Sequence, residues 1–260
     1  MSAASVLKHD FLNSAEYLAI AQLVAGPRCA SHKEFKALAS RVLALCEPTL
    51  VVRFLEMQLE SLMGDSMYQT PTLIADGPAG TLIVWVAQRN QPDEWRLRYL
   101  EGLSSSSMLD TTVDHRAYRW VSGAHPQFLL LSPDRPIEND CFDPDAMLKE
   151  CERSLMGEET LHAPAGSVGQ VDTGKPAVLC EFISPPVLSY TWSFDRDTLR
   201  ASRISVASLG LGRLQFLLSA AKFVLSRDDS HRIEPLLKHP DPWIRVCTRE
   251  QLQAMASKAG

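Results

Sequence analysis

The sequence predicts an α+β chain in which an antiparallel β-barrel or sandwich is flanked by helices at both ends. Three observations lead there. Apolar residues recur at helical spacing over the first ~65 residues and again over the last ~50, while between about Pro71 and Ser205 the period falls to two. About nine candidate strands follow one another in hairpin order, with Gly and Pro turn signals at short spacing. A run of short antiparallel strands closes most simply as a barrel of the jelly-roll kind. The chain is read as three segments: helices over 1–68, strands over 69–206 and helices over 207–260.

The N-terminal segment reads as three short helices. Leu12, Tyr17, Leu18 and Leu23 fall on one apolar face, and Gly26-Pro27 stops that helix. Ser31 is a candidate N-cap with Glu34 three residues on, the capping-box spacing. The helix that follows presents Phe35, Leu38, Ala39, Val42 and Leu45 on one side. Pro48 ends it and opens the next, Thr49 to Met63, where Leu50, Phe54, Met57 and Leu62 recur at helical spacing.

The strand segment begins with Thr81–Gln88, a β-branched and aromatic run. In Glu94–Leu100, Trp95, Leu97 and Tyr99 alternate with charged residues. Ser104–Ser107 reads as a loop. Ala117–Ser122 and Gln127–Ser132 are the next strands, joined by Gly123-Ala124-His125-Pro126. Asp143 or Asp145 is placed to cap a helix running to about Leu155. Glu159–Ala163, Val168–Asp172, Ala177–Ile183, Leu188–Phe194 and Thr198–Ser205 complete the set.

In the C-terminal segment, Leu214, Leu217, Leu218, Ala221, Val224 and Leu225 form one helical stripe. Ile233–Lys238 is a short helix, and Trp243–Met255 a longer one. Between them Asp241 is a candidate cap, Pro242 suits the first helical turn and Arg245 is placed to face outward. The run Leu236 to Arg245, with Leu252 after it, resembles the turn and second helix of a HEAT repeat. One such unit makes no solenoid, since stacking needs neighbours. It is read as a helical pair packed on the strands.

A second stretch carries more weight. Gly157 leads through a strand to His162, Pro164 and Gly166, and three residues further to Gly169. This resembles the second motif of cupin barrels, in which a metal-binding histidine stands three residues past the glycine of Pro-x-Gly. The turn is kept here, and glycine stands where the ligand belongs. The His-x-His of the family's first motif is missing from the sequence as well. The resemblance implies a jelly-roll barrel without the usual metal chemistry.

Composition narrows the function classes. An apolar fraction of 45% and a charged fraction of 22% are those of a soluble globular chain. A net charge of −5 argues against a general nucleic-acid binder, which needs clustered Lys and Arg. The C-terminal helix also lacks the basic face of a recognition helix, having only Arg245 and Arg249. No apolar run is long enough to span a bilayer, so no membrane association is expected. Asp10, Asn13 and Glu16 interrupt the layout of a signal peptide, and the expected location is the cytoplasm. The six cysteines form no CxxC pair and are expected as reduced thiols.

Candidate chemistry is sparse. His162, Glu181 and Tyr190 are the candidate catalytic residues. If any metal is bound, His115, His162 and Glu181 are its candidate ligands, and a divalent metal such as iron is the cofactor alternative to none. In Cys180-Glu181, alternation turns one residue inward, and burial preferences favour Cys180. An inward Glu181 is a candidate general base. Tyr190, Trp192 and Phe194 share a face that reads as core. The candidate ligand-binding aromatics are Trp192, Trp120 and Trp85. Arg96, Arg98, Arg116 and Arg119 read as a solvated sheet face. The expectation is a cupin-like protein that binds a small molecule, a peptide or, through its terminal helices, a protein partner. The alternative is a cupin enzyme, either a metal-dependent oxygenase with atypical ligands or a metal-free isomerase or lyase.

Overall fold

The computed structural model describes residues 3–64, 73–87, 108–137, 142–172, 176–207, 209–224, 227–239 and 241–257. The chain is α+β, with antiparallel sheets and six α-helices among the described residues. Strand Glu94–Leu100 and the loop Ser104–Ser107 lie outside them. No helix among them is long and apolar enough to cross a membrane.

The N-terminal segment holds four helices, α1 (Ala3–Leu12), α2 (Ala15–Val24), α3 (His32–Ala44) and α4 (Pro48–Gly64). The extra break falls at Asn13-Ser14. The Ser14 hydroxyl accepts from the Tyr17 amide at 3.3 Å and starts a new helix. That break resets the helical phase. The buried residues are Phe11, Ile20 and Val24, while Leu18 of the expected face is exposed. At α3 the Ser31 cap forms: its Oγ accepts from the Glu34 amide at 3.3 Å, while Glu34 reaches one residue past the cap and accepts from the Ala30 amide at 2.9 Å. Phe35, Ala39 and Val42 are buried, as their spacing predicts. On α4, Leu50, Phe54 and Met57 are buried and Leu62 is exposed.

Among the described residues eleven strands follow: β1 (Leu73–Gly77), β2 (Gly80–Ala87), β3 (Met108–Asp110), β4 (Arg116–Gly123), β5 (Gln127–Pro133), β6 (Leu148–Leu155), β7 (Leu161–Ala163), β8 (Val168–Asp172), β9 (Ala177–Ile183), β10 (Tyr190–Asp195) and β11 (Ala201–Val206). They pair as three sheets, ordered β1-β2-β9-β4-β7, β11-β10-β3 and β6-β5-β8. Among the described residues no continuous ladder closes them into one barrel. Short links stitch the two smaller sheets at both edges. The Thr112 amide donates to Ser167 O at 2.9 Å, the Gly166 amide to Thr112 O at 2.7 Å, and Met147 bridges Arg200.

The expected helix from Asp143 or Asp145 to Leu155 is instead strand β6. Asp143 uses its carboxylate to accept from the Asp145 amide at 2.8 Å and from Arg135 at 2.5 Å, so it makes a turn rather than a cap. β6 then covers an edge of β5, from Leu148 opposite Pro133 to Leu155 opposite Gln127. Its residues face solvent over most of their length. Pairing with β5 satisfies the backbone, where the local sequence alone favoured a helix.

β9 sits at the centre of the five-stranded sheet, and both of its faces are covered. Val178, Cys180 and Phe182 join the cluster made with α1–α4. Leu179 joins a second cluster with Trp85, Tyr118 and Ala163 of the same sheet, Phe128 and Leu130 of β5, and Val171 of β8. Trp192 and Phe194 of β10 fill a third, against Leu131 and Val168. Beyond the strands lie α5 (Leu209–Val224), two 3-10 turns and α6 (Pro242–Ser257). In α5, Leu218 and Ala221 are buried, while Leu217 is exposed.

Candidate functional site

The most chemically loaded position is the buried carboxyl of Glu181. Sequence alternation left Cys180 and Glu181 as alternatives for the interior, but both are buried, because β9 has a covered face on each side. Register fixes the neighbours. Tyr118 stands opposite Glu181 across the β4–β9 ladder, and side chains of opposed residues share a face. Arg116 Nη1 donates to Glu181 Oε1 at 3.3 Å, and Arg116 Nε donates to Asp114 Oδ1 at 2.7 Å. Tyr118, opposite Glu181 in the ladder, completes the group and interacts electrostatically with its carboxyl.

Burial pushes the Glu181 carboxyl above its ordinary value, and the Arg116 guanidinium pulls against that shift. Burial also raises the Tyr118 hydroxyl, with Glu181 adding to it. For Arg116 burial acts to lower, but Tyr118, Glu181 and Asp114 outweigh it and hold the guanidinium above its usual range. The group is an acid and a cation that pair, with a phenol beside them. Arg116 is therefore not on a solvated face. Nor is Arg119, whose Nη1 donates to Leu43 O at 2.6 Å near the end of α3. There a cation meets a carbonyl of the last turn of a helix, which also accepts from the Cys46 amide. Arg96 and Arg98 lie outside the described residues.

Gly169 occupies β8 beside this group. A Cβ built there would lie 3.1 Å from the Ala163 Cβ, 3.4 Å from the Tyr118 hydroxyl and 3.7 Å from Phe128. A side chain at the position of the expected metal ligand would be tight against Ala163 and in ordinary contact with Tyr118 and Phe128. The turn before it is type II in character: Gly166 has φ of +83°, and the Ser167 amide donates to Pro164 O at 3.1 Å.

The histidines do not join Glu181. His162 pairs with Ala117 and Leu161 with Tyr118, so His162 is on the opposite sheet face from Glu181. It is near Lys36 and His32 of α3, and burial first, then those cations, lowers it to about 4. Its Nδ1 is buried without a hydrogen bond. The His115 ring lies tilted against the His32 ring, 4.6 Å between centroids, and its Nδ1 accepts from the Ala165 amide at 2.8 Å. It thereby pins the Pro164–Gly166 turn. His125 Nδ1 lies 2.7 Å from Met156 O, and its ring stacks on Trp120 at 4.2 Å. Among the described residues no three His, Cys, Asp or Glu side chains group as a metal site.

Tyr190, the third catalytic candidate, is buried and donates to Asp241 Oδ1 at 2.6 Å. Asp241 also accepts from the Ile244 amide at 3.2 Å and so caps α6, as its place before Pro242 predicts. One carboxylate thus starts the last helix and ties it to β10. Arg245 does not face outward freely; its Nη1 donates to His239 O at 2.8 Å. Trp85 and Trp192 are buried in separate clusters, each with an indole N–H that has no partner. Trp120 is half-buried and donates to Ala124 O at 3.1 Å.

Sequence reasoning missed two features. One is His32, whose place in the first turn of α3 gives no signal of its neighbours. The other is a surface cleft of about 840 Å³ between α2 and α3, lined by Leu23, Leu38 and Leu45 with Arg28, Glu34 and Arg41. Arg28 at its rim donates to Pro186 O.

No protein family and no curated protein matches the chain. A crystal structure of hydroquinone 1,2-dioxygenase PnpCD in complex with Cd2+ and 4-hydroxybenzonitrile is similar over 49% of this chain and 72% of that chain. The identity is 12% and the TM-score 0.29. A likeness of that size carries no argument about this chain's activity.

Proposed function

We propose that the chain is a non-catalytic, cupin-like protein of the cytoplasm that binds a small molecule, a peptide or a protein partner, as an accessory subunit or a sensor. The observation that carries this reading is the packing around Gly169. Glycine stands where the ligand belongs, and Ala163, Tyr118 and Phe128 already pack within 3.1–3.7 Å of where its Cβ would lie. On this reading the three sheets are arcs of a degenerate jelly roll, and the Pro164–Gly166 turn is its surviving motif. Glu181 is neutralised from within by Arg116, which favours a structural carboxyl over one poised to take a substrate proton. Binding then falls to the outside, to the α2–α3 cleft and to exposed apolar side chains of the helices, among them Leu59 and Met63 of α4 and Phe216 and Leu217 of α5.

A second reading, a metal-free isomerase or lyase, rests on one observation: Glu181 is a buried acid with a raised pKa beside a phenol. It would use Glu181 as base once a ligand displaced Arg116. Elemental analysis of the purified full chain tests the first reading. It expects iron, zinc and manganese far below one per chain. One metal per chain, lost when His115 and His162 are both replaced by alanine, would refute it.

A further inference from the structure

We infer that the α2–α3 cleft binds a small amphiphile, an unbranched apolar chain ending in one carboxylate. The inference rests on the binding reading proposed above and names the ligand class for one of its sites. The cleft is open because short residues line it where two helices otherwise interlock. They are Ala19 on α2, Gly26 just past its end and Ala44 at the end of α3. At about 840 Å³ it falls in the size range of small-molecule sites. Its floor is Leu23 of α2, Leu38 of α3 and Leu45 at the α3 C-cap, all half-buried. These leucines pack from outside against the buried helical core, which fixes them from beneath. An apolar chain laid over them displaces water favourably.

The charges specify the head group. Among the described residues three charged side chains line the cleft, Arg28, Glu34 and Arg41. Arg28 and Glu34 stand together at the linker end. There Glu34 accepts from the Ala30 amide at 2.9 Å, and Arg28 donates to Pro186 O. Arg41 stands about 10 Å further along α3, two turns on from Glu34. It is exposed and makes no hydrogen bond or ion pair among the described residues. A guanidinium takes a carboxylate in two parallel N–H···O bonds. A chain leaving Arg41 over Leu38 and Leu23 reaches Pro27 and Cys29 at the linker end. A cationic head would meet a like charge at Arg41. A second anionic group at the far end would meet Glu34, which offsets Arg28 there. One carboxylate on one apolar chain is the ligand that meets neither penalty.

The test uses the full chain and dodecanoate below its micellar concentration, beside dodecanol and dodecyltrimethylammonium. Isothermal titration calorimetry measures binding. Cys29 lines the cleft and is half-buried, so its alkylation by iodoacetamide, mapped by mass spectrometry, reports occupancy in place. The exposed Cys151 on β6 is the internal reference. The expected result is a single saturable site for dodecanoate, with Cys29 alkylation slowed and Cys151 alkylation unchanged. Arg41→Gln should weaken binding about tenfold. Ala44→Phe, which fills the cleft from an exposed helical position, should abolish it. Absence of dodecanoate binding overturns the inference, as does binding that leaves Cys29 alkylation unchanged or survives Ala44→Phe. Equal affinity for dodecanol or dodecyltrimethylammonium overturns it too. Metal content bears on the broader reading separately. A metal-bearing chain that still protects Cys29 loses that reading and keeps the cleft, and a metal-free chain that does not protect it loses only the cleft.

Discussion

Replacing Arg116 by methionine removes the only cation bonded to the Glu181 carboxylate among the described residues, while keeping most of the side-chain volume. An unpaired buried charge typically costs about 3–5 kcal/mol. Here the cost has a ceiling, because the carboxyl can take a proton instead. With an ordinary glutamate value of 4.5, holding it protonated at pH 7 costs about 1.36 kcal/mol per pH unit, or about 3.4 kcal/mol. The wild-type carboxyl already stands above 4.5, so part of this cost is present before the substitution, and the expected loss at pH 7 lies below about 3.4 kcal/mol. The sign of its pH dependence follows from linkage. A carboxyl whose folded pKa is raised binds more protons folded than unfolded above about pH 4.5. Its contribution is intact below that value and is lost as pH rises through the folded value. Arg116→Met should raise that folded value further, so its deficit against wild type should shrink steadily from pH 7 toward pH 5. Urea unfolding of both chains at several pH values measures this. Adding Glu181→Gln should remove the pH dependence of the deficit. A deficit below about 0.5 kcal/mol, or one that does not change with pH, would refute the reasoning that Arg116 holds a buried charge.

Gly169→His should destabilise by about 1–3 kcal/mol through overpacking against Ala163 and Tyr118, with no metal gained on elemental analysis. Tyr190→Phe should cost about 1.5–3 kcal/mol, since it removes a hydrogen bond to a buried carboxylate. A double-mutant cycle with Asp241→Asn should then show coupling between β10 and α6, and additivity would contradict the shared bond. His162, depressed to about 4, contributes stability that is present above its ordinary 6.5 and is lost as pH falls toward 4. His162→Gln should flatten the acid limb of the urea midpoint over that interval, and an unchanged limb would place the titration elsewhere.

How much the sequence reveals depends on whether a signal is local. The α3 cap is contained in Ala30–Glu34 and formed at Ser31, the position read for it. The Asp241 cap and the Pro164–Gly166 turn are equally local. Strands β2, β4, β5, β8 and β9 follow from β-branched and aromatic runs between turn residues. What failed was set by partners distant in sequence. β6 has no strand signal of its own and forms because β5 offers it an edge. Cys180 and Glu181 looked like alternatives because alternation assumes one wet face, whereas helices cover one side of β9 and β5 and β8 the other. His162 and Glu181 are both single candidates in the sequence. Only the pairing of β7 and β9 with β4 places them on opposite faces.

The central claim is that the motif around Gly166 and Gly169 is a scaffold that holds no metal. Thermal unfolding of the full chain with and without excess Fe(II), Mn(II) or Zn(II) tests it most directly. A ligand bound only by the folded chain at a hundred times its dissociation constant adds about 2.7 kcal/mol. The account predicts no rise in midpoint with any of the three. A saturable rise of several degrees with one of them, abolished by His115→Ala together with His162→Ala, would contradict it.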